Sequence, residues 1–234
     1  MNARCTPAPS IVRFLRPRSI AIVGASPTPG ALGAAVLQNL ESAGYDGDIH
    51  LINPKRSEIN GRPCLPSIEA LPRDVDCAVL AIPHAAVLDA VRACAAQGVG
   101  GAIIFSAGFA EGGDDGRAEQ AEIARIAHEH GMVIEGPNCL GFVNYLDAVP
   151  ATFVLTKVER TGGKPGVAVV SQSGAMAAVL GVSLASHALT VSFSVSTGNE
   201  AVCGVEDYLE YVLEEPSVKV VTMIVEQFRQ PTRF

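Results

Sequence analysis

Strand-length apolar runs alternate with Ala-rich helical stretches along nearly the whole 234-residue chain. No other feature restricts the possible folds so strongly. The runs at 19–23, 48–52, 77–81, 101–105 and 132–135 are rich in β-branched residues and predict strands. Helical patterns fall between them at 33–43, 84–97 and 118–130, with a short helical turn over 67–71. Strands that are apolar without alternation are covered on both faces, and an intervening helix makes neighbours parallel. The expected fold is therefore α/β, a doubly wound parallel sheet. After Pro150 the rhythm pauses through "TFVLTKVERTGGKPG" and restarts with strands at 167–170, 190–194 and 218–225 and helices at 174–186 and 205–213. A boundary at 150 follows, with a second, incomplete α/β domain over 151–234. Its open sheet edge predicts poor solubility of the isolated product.

With 48% hydrophobic and 18% charged residues, the chain can bury a large core. Its 24 acidic against 17 basic side chains give a net charge of −7, and no Lys/Arg cluster occurs. Nucleic acid and membrane surfaces are thereby excluded as expected partners. The six cysteines, Cys5 among them, form no C-x-x-C pair and have no histidine at metal-ligand spacing. A reduced, cytoplasmic setting is expected and no metal site. The first residues, with Pro7 and Pro9, read as an N-terminal arm with no signal-peptide core.

Between the first strand and the first helix stands "IVGASPTPGALG". A glycine turn leading into a helix N-terminus is an anion site, because unpaired N–H groups and the positive dipole end converge there. A dinucleotide fingerprint requires G-x-G-x-x-G and an acid at the end of the second strand to accept the ribose hydroxyls. Neither is present: two prolines separate Gly24 from Gly30, and "HLINPKR" puts Asn53, Pro54 and Lys55 where the acid belongs. A lysine there calls for a phosphate, which favours a nucleotide with an extra ribose phosphate, either NADP or coenzyme A, over NAD. Three more strand ends carry turn-forming residues, "AIPHAAV", "FSAGFAEGG" and "EGPNCLG", and would converge on the same crevice.

In order and spacing, "SIAIVGAS", "LINPK", "FSAGFAE", "GPNCLG", "VVSQSGA" and "STGNEA" closely resemble the NDP-forming acyl-CoA synthetases, including succinyl-CoA synthetase α subunits and ADP-forming acetyl-CoA synthetases. The resemblance runs from about Ile11 onward. It implies a Rossmann-like CoA-binding domain followed by a flavodoxin-like ligase domain. By position, Gly24, Ala25, Ser26 and Thr28 resemble the loop holding the CoA phosphates, and Lys55 the basic contact to CoA. Ile82 and Pro83 resemble the wall beside the adenine, Ser106, Ala107 and Gly108 the turn along the pantetheine arm, and Asn138 and Cys139 the turn nearest the thiol. In "SQSGA", Ser171, Ser173 and Gly174 resemble the helix start that cradles a phosphate, and Glu226 the glutamate orienting a phosphohistidine.

The family's phosphohistidine stands in a Ser-His-Thr-Gly or Gly-His-Ala-Gly type loop downstream of the position matching Glu226. None of the histidines here replaces it: His84 starts a helix, His128 and His130 close one, and His187 follows another. Val202, Cys203 and Gly204 also stand where relatives show an Asp-Leu pair, and Gln227 where a glycine is usual. The expectation is a chain that holds CoA but does not complete the phosphohistidine cycle alone. It would work with an ATP-grasp subunit or domain in a hetero-oligomer, on a small carboxylic acid or acyl phosphate. A CoA- or acyl-CoA-sensing module is the alternative, and an NADP-dependent oxidoreductase a distant third.

Overall fold

A computed structural model describes residues 10–233; Cys5, Pro7 and Pro9 of the expected arm lie outside the described residues. The chain begins with α1 (Ile11–Leu15), capped by Ser10, whose hydroxyl accepts the Arg13 N–H. Then follow β1 (Ser19–Val23), α2 (Leu32–Ser42), β2 (Asp48–Ile52), the short strands β3 (Glu58–Ile59) and β4 (Arg62–Leu65), and β5 (Cys77–Leu80). The first unit continues with α3 (Val87–Gln97), β6 (Gly101–Ile104), α4 (Asp114–His130) and β7 (Val133–Glu135). Its sheet has the order β3-β4-β2-β1-β5-β6-β7, with β1, β2, β4, β5, β6 and β7 parallel and β3 antiparallel to β4. Ile20, Ala21 and Ile22 in β1 are all fully buried, as a strand covered on both faces requires. In α4, Asp114 and Asp115 open the first turn and His128 and His130 close the last, each complementing the helix dipole.

The second sheet contains a hairpin that sequence rhythm does not reveal. β8 (Gly141–Asn144) and β9 (Val149–Thr152) join β10 (Gly166–Ser171), β11 (Val191–Ser196) and β12 (Val218–Ile224) in the order β12-β10-β11-β8-β9. α5 (Gly174–Ser186) and α6 (Val205–Leu213) complete the unit. β8 pairs antiparallel with both β11 and β9, and residue 150 falls inside β9, the hairpin's second strand. Both hairpin strands are buried at every position, so they show no polar alternation. Pro150 sits on an edge strand, the place in a sheet that tolerates a missing N–H.

One hydrophobic core runs through both sheets: Ile22, Val79 and Ile103 share it with Phe142, Val170, Val195 and Tyr208. Each such large side chain contributes about 1.5–3 kcal/mol when fully buried. The opposite face of the second unit is open. β12 is an edge strand, and α5 is apolar almost all round yet buries only Ala177, leaving Val182 72% exposed. Among the described residues no helix is long and apolar enough to cross a membrane.

Candidate functional site

The order of the first sheet reverses at β1: β2 lies on one side of it and β5 on the other. A crevice opens at such a point, outside the carboxyl ends of the strands. The glycine loop and the turn after β5 form its walls, in direct backbone contact. Gly24 has φ +88°, and a Cβ there would lie 2.3 Å from the Ala81 carbonyl oxygen; a Cβ on Gly33, in the first turn of α2, would lie 2.3 Å from the Gly24 oxygen. The Gly24 and Ala25 N–H groups both donate to the Ile52 carbonyl at 3.1 Å, and Asn53 Nδ2 donates to the Ala25 carbonyl at 2.8 Å. Ala25 is fully buried. Ile52 and Asn53 therefore hold the loop on the end of β2, while Ser26 is half-buried, its hydroxyl accepting the Thr28 N–H at 3.1 Å, and Thr28 is exposed.

The residues around this crevice suit a phosphorylated ligand. α2 starts from Ala31 with no side-chain cap and no acid in its first turn, so its leading N–H groups and positive dipole end can meet an anion. Lys55 and Arg56 are exposed just past β2. Asn53 Oδ1 accepts the Lys55 N–H at 2.8 Å and fixes that turn.

The remaining turns gather beside it. Ser106 Oγ donates to the Ile82 carbonyl at 2.5 Å, and the Ser106 carbonyl accepts the Asn138 N–H at 3.0 Å. Ala107, Gly108, Pro83 and Asn138 are exposed, whereas Cys139 is buried beneath the cis Gly136–Pro137 bond. The Cys139 thiol donates to the Ile104 carbonyl, and burial pushes its pKa well above the ordinary thiol range. It is a packing residue under the turn and does not supply a thiolate.

In the second unit, Ser171 is fully buried and its hydroxyl donates to the Ser173 carbonyl at 2.7 Å. Ser173 caps α5, and Gly174 packs so closely that a Cβ would lie 2.6 Å from Leu140. The Glu226 N–H donates to Gln172 Oε1 at 2.6 Å, and Gln172 Nε2 donates to the Gln227 carbonyl at 2.7 Å. Gln172 thus ties "SQSG" to the segment after β12. Between the units lies a polar cleft of about 360 Å³, whose lining includes Glu111, Gln172, Asn199, Glu226 and Arg229. Ser171 does not reach it, and among the described residues no histidine lines it. His130 and His187 instead hydrogen-bond the carbonyls of Ile126 and Ser183, one turn earlier in each case. Sequence reading passes over Gln172, Glu111, Asn199 and Arg229, although the first three stand inside the quoted motifs.

At the end of β7, Glu135 is fully buried and accepts one hydrogen bond on Oε2, from the Tyr208 hydroxyl at 3.1 Å. Desolvation raises its pKa well above the usual carboxylate range. Between the ordinary carboxylate pKa and this raised one, the folded chain keeps a proton that the unfolded chain has lost, so stability falls as pH rises, by up to about 1.4 kcal/mol per pH unit. Glu200 is shifted in the same direction, chiefly by burial, and adds its own slope. Urea unfolding of Glu135→Gln between pH 5 and 8 is expected to show a shallower decline than the unsubstituted chain. The substitution should stabilise at pH 8 and have little effect at pH 5; equal slopes would refute this assignment.

A family model described as a CoA binding domain matches residues 18–145, and one described as a succinyl-CoA ligase like flavodoxin domain matches 164–234. The chain is 50% identical, over 96% of its length, to a trans-feruloyl-CoA synthase from an unknown prokaryotic organism, of which it covers 32%. It is 34% identical, over 94% of its length, to the α subunit of the ADP-forming acetate–CoA ligase II of Pyrococcus furiosus, covering 47% of that protein. Among solved structures, the apo dinucleotide forming acetyl-coenzyme A synthetase 1 of Ca. Korarchaeum cryptofilum superposes with a TM-score of 0.87 at 32% identity, over 94% of this chain and 47% of that one. The chain thus spans about a third to a half of the length of these relatives. With the crevice, the ordered turns and both domain matches in agreement, the chain belongs to the CoA-binding domain family of the NDP-forming acyl-CoA synthetases, with a succinyl-CoA ligase like flavodoxin domain following it.

Proposed function

We propose that this chain is the CoA-holding part of an NDP-forming acyl-CoA synthetase, which converts an acid, CoA and ATP to acyl-CoA, ADP and phosphate. The observation that carries this reading is the coincidence, at the sheet's switch point, of an uncapped helix start with the exposed cations Lys55 and Arg56 and no acid. The diphosphate lies at the start of α2 beside Ser26 and Thr28, and Lys55 meets the ribose phosphate. Ile82 and Pro83 flank the adenine. The pantetheine arm runs along Ser106, Ala107 and Gly108 toward Asn138, and the thiol end reaches the cleft between the units. There the start of α5 at Ser173 and Gly174 receives the phosphate of an acyl phosphate, with Glu226 across from it. Ser171 and Cys139 support these turns from below. The phosphohistidine and nucleotide steps belong to an ATP-grasp subunit or domain. An aromatic acid is the first acyl substrate to test, since the relative at 50% identity is named for a feruloyl product and an apolar groove of about 570 Å³ extends from Leu140 along α5.

Lys55 provides the test. Lys55→Ala is expected to weaken CoA binding about three- to fivefold, the scale of an exposed ion pair, while leaving 3′-dephospho-CoA binding unchanged. Calorimetric titration of both ligands measures the difference. An equal loss for the two would remove Lys55 from the ribose phosphate.

A further inference from the structure

The two units are joined at the carboxyl ends of their sheets by a carboxylate that serves one donor from each. Glu111 follows the turn after β6; its Oε1 accepts the Gly108 N–H at 2.6 Å, and its Oε2 accepts the Asn199 side-chain amide from the loop after β11. Asn199 is also held from other directions. Its N–H donates to the Pro137 carbonyl at 2.8 Å, and its Nδ2 also reaches Gln120 Oε1 at 3.2 Å. Its carbonyl accepts the Arg229 guanidinium, whose Nε lies 3.3 Å from the buried Glu200 carboxylate. An unbroken line of contacts therefore runs from the Gly108 turn through Glu111 and Asn199 to Arg229 in the cleft. Glu111 is exposed overall; partial desolvation pushes its pKa up, but the hydrogen bonds from Gly108 and Asn199 outweigh it and leave the pKa below the ordinary value. Both bonds are thus made to an ionised acceptor, the stronger kind.

We propose that Glu111 is a positioning residue that fixes the 106–108 turn of the CoA site against the 198–200 loop of the second unit, an inference that rests on the CoA reading of that turn. A carboxylate is suited to this because it accepts on both oxygens. A glutamine there offers one acceptor and one donor, so in E111Q two amide donors can meet at Asn199. In N199D two carboxylates face each other. The double variant E111Q/N199D reverses the polarity and restores one donor to one acceptor at the 111–199 contact, while the new carboxylate at 199 still faces Gln120 Oε1, which also accepts the Ala110 N–H at 3.2 Å.

The test titrates CoA into the unsubstituted chain and the three variants and follows amide hydrogen exchange over residues 106–109 in each. Each single variant is expected to lose about five- to tenfold in CoA affinity and to exchange faster, the scale of one unsatisfied partner, and the double to recover part of both, binding CoA more tightly than either single. A merely structural role would leave affinity unmoved once the variants are shown to be folded. Single variants that bind CoA like the parent, or a double variant no better than the worse single, would overturn the proposal. Failure of the unsubstituted chain to bind CoA would refute the CoA reading, and the exchange measurement would then decide the strut alone: unchanged exchange in E111Q refutes it. If E111Q folds poorly, N199A, at a half-buried position, removes the same donor and carries the same test.

Discussion

Gly24→Ala is expected to destabilise the chain by about 2–4 kcal/mol and to abolish measurable CoA binding. Two costs add. The residue has φ +88°, which costs an L side chain about 1 kcal/mol or more. The new Cβ would also lie 2.3 Å from the oxygen and 2.9 Å from the carbon of the Ala81 carbonyl. Those are backbone atoms, so no rotamer change relieves the clash, and the glycine loop must part from the wall of the crevice. Gly30→Ala is the control: its φ is +85°, but nothing lies within 4 Å of a Cβ there. It should show the conformational cost alone, about 1 kcal/mol. Urea unfolding and CoA titration of both variants make the comparison. Equal losses at the two positions would mean that loop-to-strand contact does not hold the site.

Gly198→Ala is expected to produce a loss of similar size by acting on the seam between the sheets. Gly198 has φ +61°, and a Cβ would lie 2.4 Å from the Pro137 oxygen and 2.7 Å from the Asn138 oxygen. Its neighbours close the seam in both directions: the Asn199 N–H donates to the Pro137 carbonyl, the Ala201 N–H to the Gly136 carbonyl, and the Gly136 N–H back to Thr197. Forcing these loops apart separates the candidate thiol turn from the candidate phosphate cradle at the start of α5. Because one core spans both sheets, the expected outcome is a single unfolding transition moved to lower urea by about 2–4 kcal/mol of stability. Circular dichroism through the transition measures it. Two resolved transitions would show that the units fold independently.

The parallel strands were legible because burial on both faces leaves an uninterrupted apolar run; β1 and β2 begin and end where the pattern of branched residues does. The helices of the second unit were legible from the strand–helix rhythm that restarts after Pro150, and their read spans match α5 and α6. The β8–β9 hairpin was not, since its inward-packed strands lack alternation and contain Pro150. The short strands β3 and β4 are too brief to set up a period. At the site, the sequence located the turns but not the direction of each group. Ser26 and Ala25 are adjacent in the same motif, yet one is half-buried with its hydroxyl turned to the Thr28 N–H and the other is fully buried, because Ala25 is anchored to Ile52 and Asn53. Long-range partners such as Glu111 with Asn199, 88 positions apart, have no local signature.

Calorimetric titration of the unsubstituted chain with CoA, and with NADP and NAD under the same conditions, tests the central claim most directly. The predicted result is saturable 1:1 binding of CoA with no heat from either dinucleotide. Tight binding of NADP with none of CoA would contradict it, by placing a dinucleotide at the uncapped start of α2 beside Lys55.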